Sequence, residues 1–502
     1  MKKIIEKRLL FPFLLPVFFV IHGVNENFGF VPFKDALSLI LLYTGAAILL
    51  YFISKFIFKN ATKAAIFSWF VLAIYLFFGA IQDFMKYNDI SLHRYSRLLP
   101  VLLILTIICF IWLKKSEKGI KKTVVFLNLL FLVYIGVETY GILKKTLFPE
   151  TPAIHSGSAS DAILTKADSL HRPDIYFLLF DEYSSSESLR SYYNYDNSEL
   201  DSFLLNNGFS IQKFSRSNYN FTPFSMASIF NMNYLTGVEK PEAITLEDYN
   251  HCINLVKSNK VISFLRSEGY EIINNSVFDL DNHPSKVYET FLASKTRLIT
   301  AGTLFTRIGK DLGWMLYAGR FKINRLADKL IYRNLRNNTY LIEQVKEEVT
   351  IKRKSPRFVY MHVYMPHTPF YFDRDGKLKD IATLQHGKDI KTVQGYLDYL
   401  PYTNSRIKEV IETIQANTDK KAVIILMSDH GFRKRENPKS PEDIHQMYFI
   451  QNAVYLPENY PNLFHDSVIA VNQFRILFNT LFNQQLPILN DSTIYLQDKV
   501  SN

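Results

Sequence analysis

The sequence predicts an α/β domain with a mostly parallel central sheet flanked by helices, preceded by a five-helix transmembrane domain. Long apolar runs are concentrated in the first 146 residues. After residue 171, short apolar runs alternate with longer mixed segments, as in βα units. A stretch rich in Pro, Ser and Ala separates these parts. We therefore predict a transmembrane domain over residues 1–146, a linker over 147–171 and an outer domain over 172–502.

The first part of the chain holds five apolar runs, and a helix crosses the hydrocarbon core with about 20 residues. They cover roughly 9–23, 36–54, 64–82, 98–113 and 124–143. The first run is also compatible with a signal peptide. No small-residue cleavage site follows it, so we expect a retained helix. A buried core of a soluble protein is disfavoured, because charged residues other than Glu138 occur only between the runs.

Basic residues predict the orientation of these helices. With the N-terminus in the cytoplasm, the inside segments carry 12 lysines and arginines and the outside segments carry 6. Five crossings then place everything after residue 146 outside the cytoplasm. We predict a multi-pass protein of the inner (cytoplasmic) membrane, with its outer domain on the extracytoplasmic side.

The net charge of +11 does not indicate nucleic-acid binding. Residues 1–146 hold 18 basic and 7 acidic side chains, and the remaining 40 basic and 40 acidic side chains balance. The basic character therefore belongs to the loops that flank the membrane. The two cysteines, Cys109 and Cys252, lie far apart and do not identify the compartment.

Three apolar runs of the outer domain, 174–180, 358–365 and 422–427, predict buried parallel strands. An acid or a histidine follows each run: Asp181, His367, and the pair Asp429 and His430. Ligands bind beyond the carboxyl ends of strands in open α/β sheets. We expect these four residues at one sheet edge.

The types of these residues suit a divalent cation. Asp181, Asp429 and His430 would supply three protein ligands. Thr222, in "NFTPFSMAS", is predicted as a helix N-cap with Pro223 at the first helical position. Its hydroxyl is also suited to the fourth metal position, where coordination lowers its pKa and makes it a nucleophile. The two interpretations are compatible, because a helix N-terminus favours an anion.

Each residue also has an ordinary structural interpretation. Asp181 is compatible with a turn or helix cap, "SDHG" with a strand-to-loop turn, and His367 with a loop histidine between prolines. Their placement at one predicted sheet edge favours a reactive site.

These motifs resemble the alkaline phosphatase/sulfatase superfamily. Within it, the chain is most similar to membrane-anchored sulfatase-type transferases such as lipoteichoic acid synthases and phosphoethanolamine transferases. The resemblance implies a sulfatase-like catalytic domain with Thr222 as nucleophile and His367 as a phosphate- or sulfate-contacting residue. It implies Asp181, Thr222, Asp429 and His430 as metal ligands, and it identifies 396–414 as the helix before the last strand.

The sequence also departs from the sulfatase pattern. Sulfatases convert Cys or Ser to formylglycine, and Thr222 cannot form that group. Met226 stands where an arginine is expected. The resemblance, with these departures, favours phosphoryl chemistry through a covalent threonine intermediate.

We therefore predict a membrane-bound, metal-dependent enzyme that moves a phospho-alcohol group from a lipid donor to an envelope glycan, lipid or polymer. Its cofactor would be one divalent ion: Mn²⁺, Zn²⁺, Mg²⁺ or Ca²⁺. The alternatives are a sulfuric- or phosphoric-ester hydrolase and an inactive membrane protein that binds envelope polymer. A transporter is disfavoured, because Asn128 and Glu138 are the only notable polar groups in the membrane runs.

Three further segments leave alternatives open. Residues 303–323 mix apolar, aromatic and basic side chains, which suits either the membrane surface or packing within the outer domain. The basic residues 433–435 suit either phosphate attraction or a solvated turn. For Asp279, His283 and His445, we favour loop positions over a second metal site.

Overall fold

The computed structural model of the 502-residue chain describes most of the sequence. The described residues are 8–116, 121–148, 154–157, 164–165, 172–238, 241–287, 295–312, 324–386, 392–433 and 440–497. Some predictions fall outside the described residues. They concern most of the linker, residues 313–323 of the mixed segment, and two of the three basic residues after "SDHGF", Lys434 and Arg435.

The helices and strands of the described residues follow in chain order. The helices are α1 (Phe11–Glu26), α2 (Phe33–Phe58), α3 (Ala61–Leu76), α4 (Phe78–Tyr87), α5 (Tyr95–Lys115), α6 (Lys121–Leu147), α7 (Ser186–Tyr193), α8 (Ser198–Asn206), α9 (Thr222–Asn231), α10 (Leu246–Lys257), α11 (Lys260–Ser267), α12 (Arg297–Thr300), α13 (Leu304–Asp311), α14 (Asn324–Ile331), α15 (Arg333–Thr350), α16 (Ile381–His386), α17 (Val393–Asn417), α18 (Pro441–His445) and α19 (Gln473–Phe482). The strands are β1 (His155–Ser156), β2 (Ile175–Phe180), β3 (Ser210–Ile211), β4 (Leu235–Thr236), β5 (Glu271–Asn275), β6 (Arg357–Val363), β7 (Val423–Met427) and β8 (Asn452–Tyr455). Short 3₁₀ helices cover Ser91–His93, Pro241–Ala243, Gln446–Tyr448 and Ala470–Asn472.

The chain divides into two compact units. The first consists of Met1–Thr151 and Thr290–Lys322, and the second of Pro152–Glu289 and Ile323–Asn502. The described residues 295–312 therefore group with the N-terminal helices, although they lie between two parts of the second unit in sequence. For the described residues 303–312, this grouping corrects the alternative of packing within the outer domain.

The first unit is a helical bundle around α1. Phe11, Leu15 and Val20 of α1 are almost fully buried, and α2, α3 and α6 pack around this helix. The opposite faces of α2, α5 and α6 expose large apolar side chains, including Phe56. An apolar outer face of this kind suits a lipid environment.

The apolar helices indicate membrane anchoring. Among the described residues, three or four spans are long and apolar enough to cross a membrane. Helices α2, α5 and α6 are long and apolar enough to cross a bilayer. Helices α3 and α4 meet at a 55° bend and count as a fourth span if taken together. Helix α1 is apolar but has only 16 residues. Five spans therefore stay a prediction. The predicted third run, 64–82, is divided by the break between α3 and α4.

The second unit contains the predicted α/β sheet. Its strand order is β3-β8-β7-β2-β6-β5, in which β7, β2, β6 and β5 run parallel. Strand β8 is antiparallel to both β7 and β3. The prediction of a mostly parallel sheet is thus confirmed. A separate two-stranded sheet joins β1 to β4.

Helices cover both faces of this sheet. Tyr176, Leu178 and Phe180 of β2 pack into a core shared with α15 and α17. Phe177 points to the other face, where its ring contacts Phe230 of α9 and Phe474 of α19. Because both faces are buried, the central strands are continuous apolar runs. The predicted helix over 396–414 is part of α17.

Candidate active site

Two neighbouring parallel strands place three predicted metal ligands together. Asp181 directly follows β2, and Asp429 and His430 follow β7 by two and three residues. One ligand atom from each lies within 4.8 Å of the others, and all three side chains are buried. Within the described ranges, this is the one group of three or more His, Cys, Asp or Glu residues with that geometry.

The two buried carboxylates of the Asp–Asp–His group lie close together, and a bound cation would balance their negative charge. Burial and the neighbouring charge of Asp429 raise the pKa of Asp181 well above its ordinary value. Burial acts in the same direction on Asp429, but His430 and His362 outweigh it and lower the pKa of that carboxyl. Burial lowers the pKa of His430, which keeps its imidazole neutral and able to act as a ligand.

The donor atoms fit a divalent cation. Oδ1 of Asp181 and Oδ2 of Asp429 are buried and accept no hydrogen bond from the described residues, which is costly for a carboxylate. Nδ1 of the neutral His430 donates to the carbonyl of Gly431 at 2.8 Å, so the lone pair of Nε2 is directed to the site. Two carboxylates and an imidazole are ligands that Zn²⁺ and Mn²⁺ accept.

Thr222 lies beside this group. Its Oγ1 is 3.5 Å from Oδ2 of Asp181 and 3.4 Å from Nε2 of His430, and the side chain is 5% exposed. The predicted N-cap role is wrong: Phe221 occupies the N-cap position, Thr222 is the first residue of α9, and no side-chain capping bond forms. The physical reason is that the hydroxyl is directed at the carboxylate and imidazole instead of at the helix backbone.

His367 reaches the site through Glu182. It lies in the loop after β6, between the cis peptide bonds Met365–Pro366 and Thr368–Pro369. Nδ1 of His367 donates to the Thr368 carbonyl at 2.8 Å, and Nε2 is 3.8 Å from Oε2 of Glu182. The histidine is buried but is not a member of the Asp–Asp–His group.

Glu182 joins the predicted metal ligands to Arg433. Its backbone has a φ of +65°, an uncommon conformation outside glycine, and its N–H donates to Oδ1 of Asp429 at 3.1 Å. Its Oε1 accepts from the N–H of Arg433 at 2.9 Å. The Arg433 guanidinium stacks over the ring of Phe221 at 4.7 Å, directly before Thr222. The positive charge of Arg433 thus lies between Phe221, which precedes Thr222, and Glu182, which follows Asp181.

His362 is a site residue that the sequence interpretation missed. It is fully buried in β6, with Nε2 3.4 Å from Oδ2 of Asp181 and Nδ1 2.8 Å from the Tyr360 hydroxyl. It pairs in register with Leu179, two residues before Asp181. The available signal was a titratable residue inside an otherwise apolar central strand, close to its carboxyl end.

The residues considered for a second metal site lie elsewhere. Asp279 accepts a hydrogen bond from the N–H of Ser285 at 3.0 Å, and His283 is half-buried. His445 is exposed, with Nδ1 3.3 Å from the Tyr192 hydroxyl. None of them joins the Asp–Asp–His group.

Comparisons with known proteins agree with the sequence resemblance. A family model described as "Sulfatase" matches residues 314–468, so this part of the chain is similar to the sulfatase family. The match includes the strand ends that carry His367, Asp429 and His430. No curated protein matches the chain.

Several solved structures are similar in outline. The C-terminal periplasmic domain of EcEptC from Escherichia coli has 11% identity and a TM-score of 0.41, covering 67% of this chain and 93% of its own. The phosphonate monoester hydrolase SpPMH from Silicibacter pomeroyi has 13% identity and a TM-score of 0.40, with coverages of 64% and 75%. The integral membrane lipooligosaccharide phosphoethanolamine transferase A (EptA) from Neisseria meningitidis has 14% identity and a TM-score of 0.35, with coverages of 91% and 88%. These likenesses are distant.

Proposed function

We propose that this chain, whose residues 314–468 match a sulfatase family model, is a membrane-bound, metal-dependent phosphotransferase. It takes a phospho-alcohol group from a membrane lipid and passes it to an envelope glycan, lipid or polymer through a covalent Thr222 intermediate. Thr222 and His367 are the proposed catalytic residues. Asp181, Thr222, Asp429 and His430 are the proposed metal ligands.

One observation carries this proposal. The Thr222 hydroxyl is buried within 3.5 Å of both Asp181 and His430, beside carboxylate oxygens that have no hydrogen-bond partner. A threonine placed only for packing or capping would not need this position. A hydroxyl that must lose its proton at neutral pH would need to lie close to metal-binding groups.

The residues around Thr222 suggest how the reaction proceeds. Bound by the four proposed ligands, a divalent cation would lower the pKa of the hydroxyl and stabilise charge on the phosphate. Oγ1 of Thr222, after losing its proton to solvent, forms a bond to phosphorus as the bond to the lipid alcohol breaks. The departing oxygen takes a proton from His367, whose Nε2 lies 3.8 Å from Oε2 of Glu182. Arg433 attracts the anionic phosphate. In the second step an acceptor hydroxyl displaces Thr222 and the proton returns to His367.

Ester hydrolysis is a second candidate, favoured by the sulfatase family match. For a phosphate ester it requires only that water replaces the acceptor hydroxyl. For a sulfate ester the usual formylglycine route is closed to Thr222. The buried and charged site disfavours an inactive polymer-binding protein, because such a protein would have no use for two unpartnered buried carboxylate oxygens.

The membrane anchor supports the choice of a lipid donor. Apolar helices attach the enzyme to a bilayer, where phospholipid head groups are abundant. We propose the inner membrane, a multi-pass topology, and the extracytoplasmic side for the catalytic unit. The unequal distribution of basic residues between the predicted loops supports this orientation.

The test uses the full-length protein in detergent with Mn²⁺ or Zn²⁺ and a phospholipid donor. Intact-protein and peptide mass spectrometry should detect a phospho-alcohol adduct on Thr222. Thr222→Ala should lose the adduct and reduce turnover by at least about 10³-fold, since nucleophile and acid–base contributions are of this size. Thr222→Ser should retain part of both. Thr413→Ala, which removes a hydroxyl bonded only to a carbonyl within α17, is the matched control.

The outcomes separate the candidates. Adduct formation with transfer to an added glycan or lipid supports the transferase, and adduct formation with release of the phospho-alcohol alone supports the hydrolase. Full turnover in Thr222→Ala, without an adduct in the wild type, would contradict the mechanism.

A further inference from the structure

Two short helices from the middle of the outer-domain sequence complete the membrane unit. Ile299 of α12 is 6% exposed and belongs to the same apolar core as α1. The contact with α1 is so close that a Cβ on Gly23 would lie 2.8 Å from the Ile299 side chain. Thr303, between α12 and α13, is fully buried. This segment is therefore an integral part of the bundle.

Polar contacts fix the same segment to α4 and α5. The N–H of Gly79 donates to the Gly302 carbonyl at 2.7 Å, an approach that leaves no room for a side chain on Gly79. Arg307 makes a two-point ion pair with Asp83, at 3.0 and 2.5 Å. The Tyr95 hydroxyl donates to Asp311 at 2.6 Å.

These contacts all lie at one end of the bundle. Gly23 is near the C-terminal end of α1, Gly79 follows the C-terminal end of α3, and Tyr95 begins α5. Helices that alternate in direction bring these three ends together. In the predicted orientation this end faces the extracytoplasmic side. Helices α4 and α13 therefore lie where the apolar spans end.

The outward residues of these two helices have the chemistry of a membrane interface. Phe305 of α13 is 70% exposed, and its ring makes an edge contact with Tyr75. Phe84 and Tyr87 of α4 are 65% and 90% exposed. Exposed lysines accompany the aromatic rings, Lys86 on α4 and Lys310 on α13. Aromatic rings and lysines are characteristic of the head-group region of a bilayer.

We infer that α4 and α13 form an interfacial collar (Phe78–Tyr87 and Leu304–Asp311) that rests in the phospholipid head-group region. Phe84, Tyr87 and Phe305 contact the upper acyl chains, and Lys86 and Lys310 face lipid phosphates. Two features select a bilayer over a protein partner. The collar continues the lipid-facing apolar surface of the spans, and its lysines complement phosphate charge. The inference does not depend on the proposed reaction.

The test adds one tryptophan at a time to the full-length protein in phospholipid vesicles. Phe305→Trp is compared with Leu205→Trp, which places the indole at an exposed apolar position of α8 in the second unit. Lipids brominated near the head-group end of the chain quench indoles at that depth. We expect quenching of the added fluorescence at position 305 to exceed that at 205 at least about twofold, because interfacial rings lie at that depth.

Tyr87→Trp tests the collar independently and covers the case in which Phe305→Trp does not fold. Strong quenching at both collar positions by brominated lipid, with weak quenching by aqueous iodide, supports the inference. If iodide quenches the collar indoles as well as it quenches the indole at 205, and brominated lipid does not, the collar faces water or a protein and the inference is wrong.

Discussion

At the scale of single residues, Gly431 shows how closely the candidate site is built. A Cβ at this position would lie 2.6 Å from the Phe449 carbonyl oxygen and 2.9 Å from that of Gln446. The N–H of Gly431 donates to Met447 at 2.7 Å. Backbone of the following segment therefore presses against the residue after His430, and it fixes the direction of the imidazole.

We expect Gly431→Ala to destabilise the second unit by about 1–3 kcal/mol, because backbone atoms must move to admit the methyl group. It should also weaken binding of Mn²⁺, since His430 moves with its neighbour. Thermal unfolding and metal titration of the full-length protein measure both effects. Gly309→Ala is the matched control, because its Cβ meets no atom within 4 Å. Equal unfolding temperatures for the two variants would contradict the packing argument.

The residues of the site were predictable to different degrees. The sequence places Asp181, Asp429 and His430 after apolar strands, and parallel strands bring their ends together. The direction of the Thr222 hydroxyl was not predictable, because "TP" is compatible with both a cap and a first helical residue. His362 was missed, because an apolar run gives no sign of which side chains face the site.

At the scale of elements, helix α1 depends on a side chain from another helix. Its N-cap residue Leu10 offers no capping group. Asn128 of α6 supplies one: Oδ1 accepts from the N–H groups of Leu10 and Phe11 at 3.1 and 2.8 Å, and Nδ2 donates to Arg8 at 2.7 Å. Asn128 thus has a structural role. It was one of the two polar residues in the membrane runs that could have indicated a transport path, so this role further disfavours a transporter.

Asn128→Leu should destabilise the first unit by about 1–3 kcal/mol, because it leaves buried backbone groups of α1 without partners. Unfolding in detergent, followed by circular dichroism, measures the change. Thr139→Val on the same helix removes a hydroxyl that donates only to its own helix, and it should have little effect. If Asn128→Leu unfolds at the same point as Thr139→Val, the capping role is refuted.

Elements with buried apolar runs were the most predictable. Strands β2, β6 and β7 lie within one or two residues of their predicted bounds, because burial on both faces leaves a continuous apolar signal. The two-residue strand β3 carries no such signal. The break between α3 and α4 was also unpredictable, because it depends on contact with Gly302, more than 200 residues later in the chain.

At the scale of the whole molecule, the second unit should depend on a bound cation in a pH-dependent way. The raised pKa of Asp181 means that the folded, metal-free protein holds a proton that the unfolded chain releases at lower pH. This proton stabilises the fold below the raised pKa, and its contribution is lost as pH rises through that value. A cation must displace the same proton, so its stabilising effect grows with pH.

We expect Mn²⁺ to raise the unfolding temperature more at about pH 8 than at about pH 5.5. A concentration about 100 times the dissociation constant should stabilise the protein by about 2.7 kcal/mol at the higher pH. Differential scanning fluorimetry with and without a chelator measures the shift. Asp181→Asn should abolish it, whereas Asp279→Asn should leave it unchanged. A shift that is independent of pH, or that survives in Asp181→Asn, would exclude the proposed metal centre.

The segment 295–312 has a consequence for how the chain is made. The membrane bundle includes Ile299, yet this residue is synthesised only after Asp181, Thr222 and five strands of the second unit's two sheets, β1 to β5. The bundle therefore cannot complete its core until that later segment has been synthesised. A secreted fragment that starts at Arg172 would carry α12 and α13 without their partners and expose Leu298 and Ile299 to water. Biogenesis couples the two units, even though each has its own core.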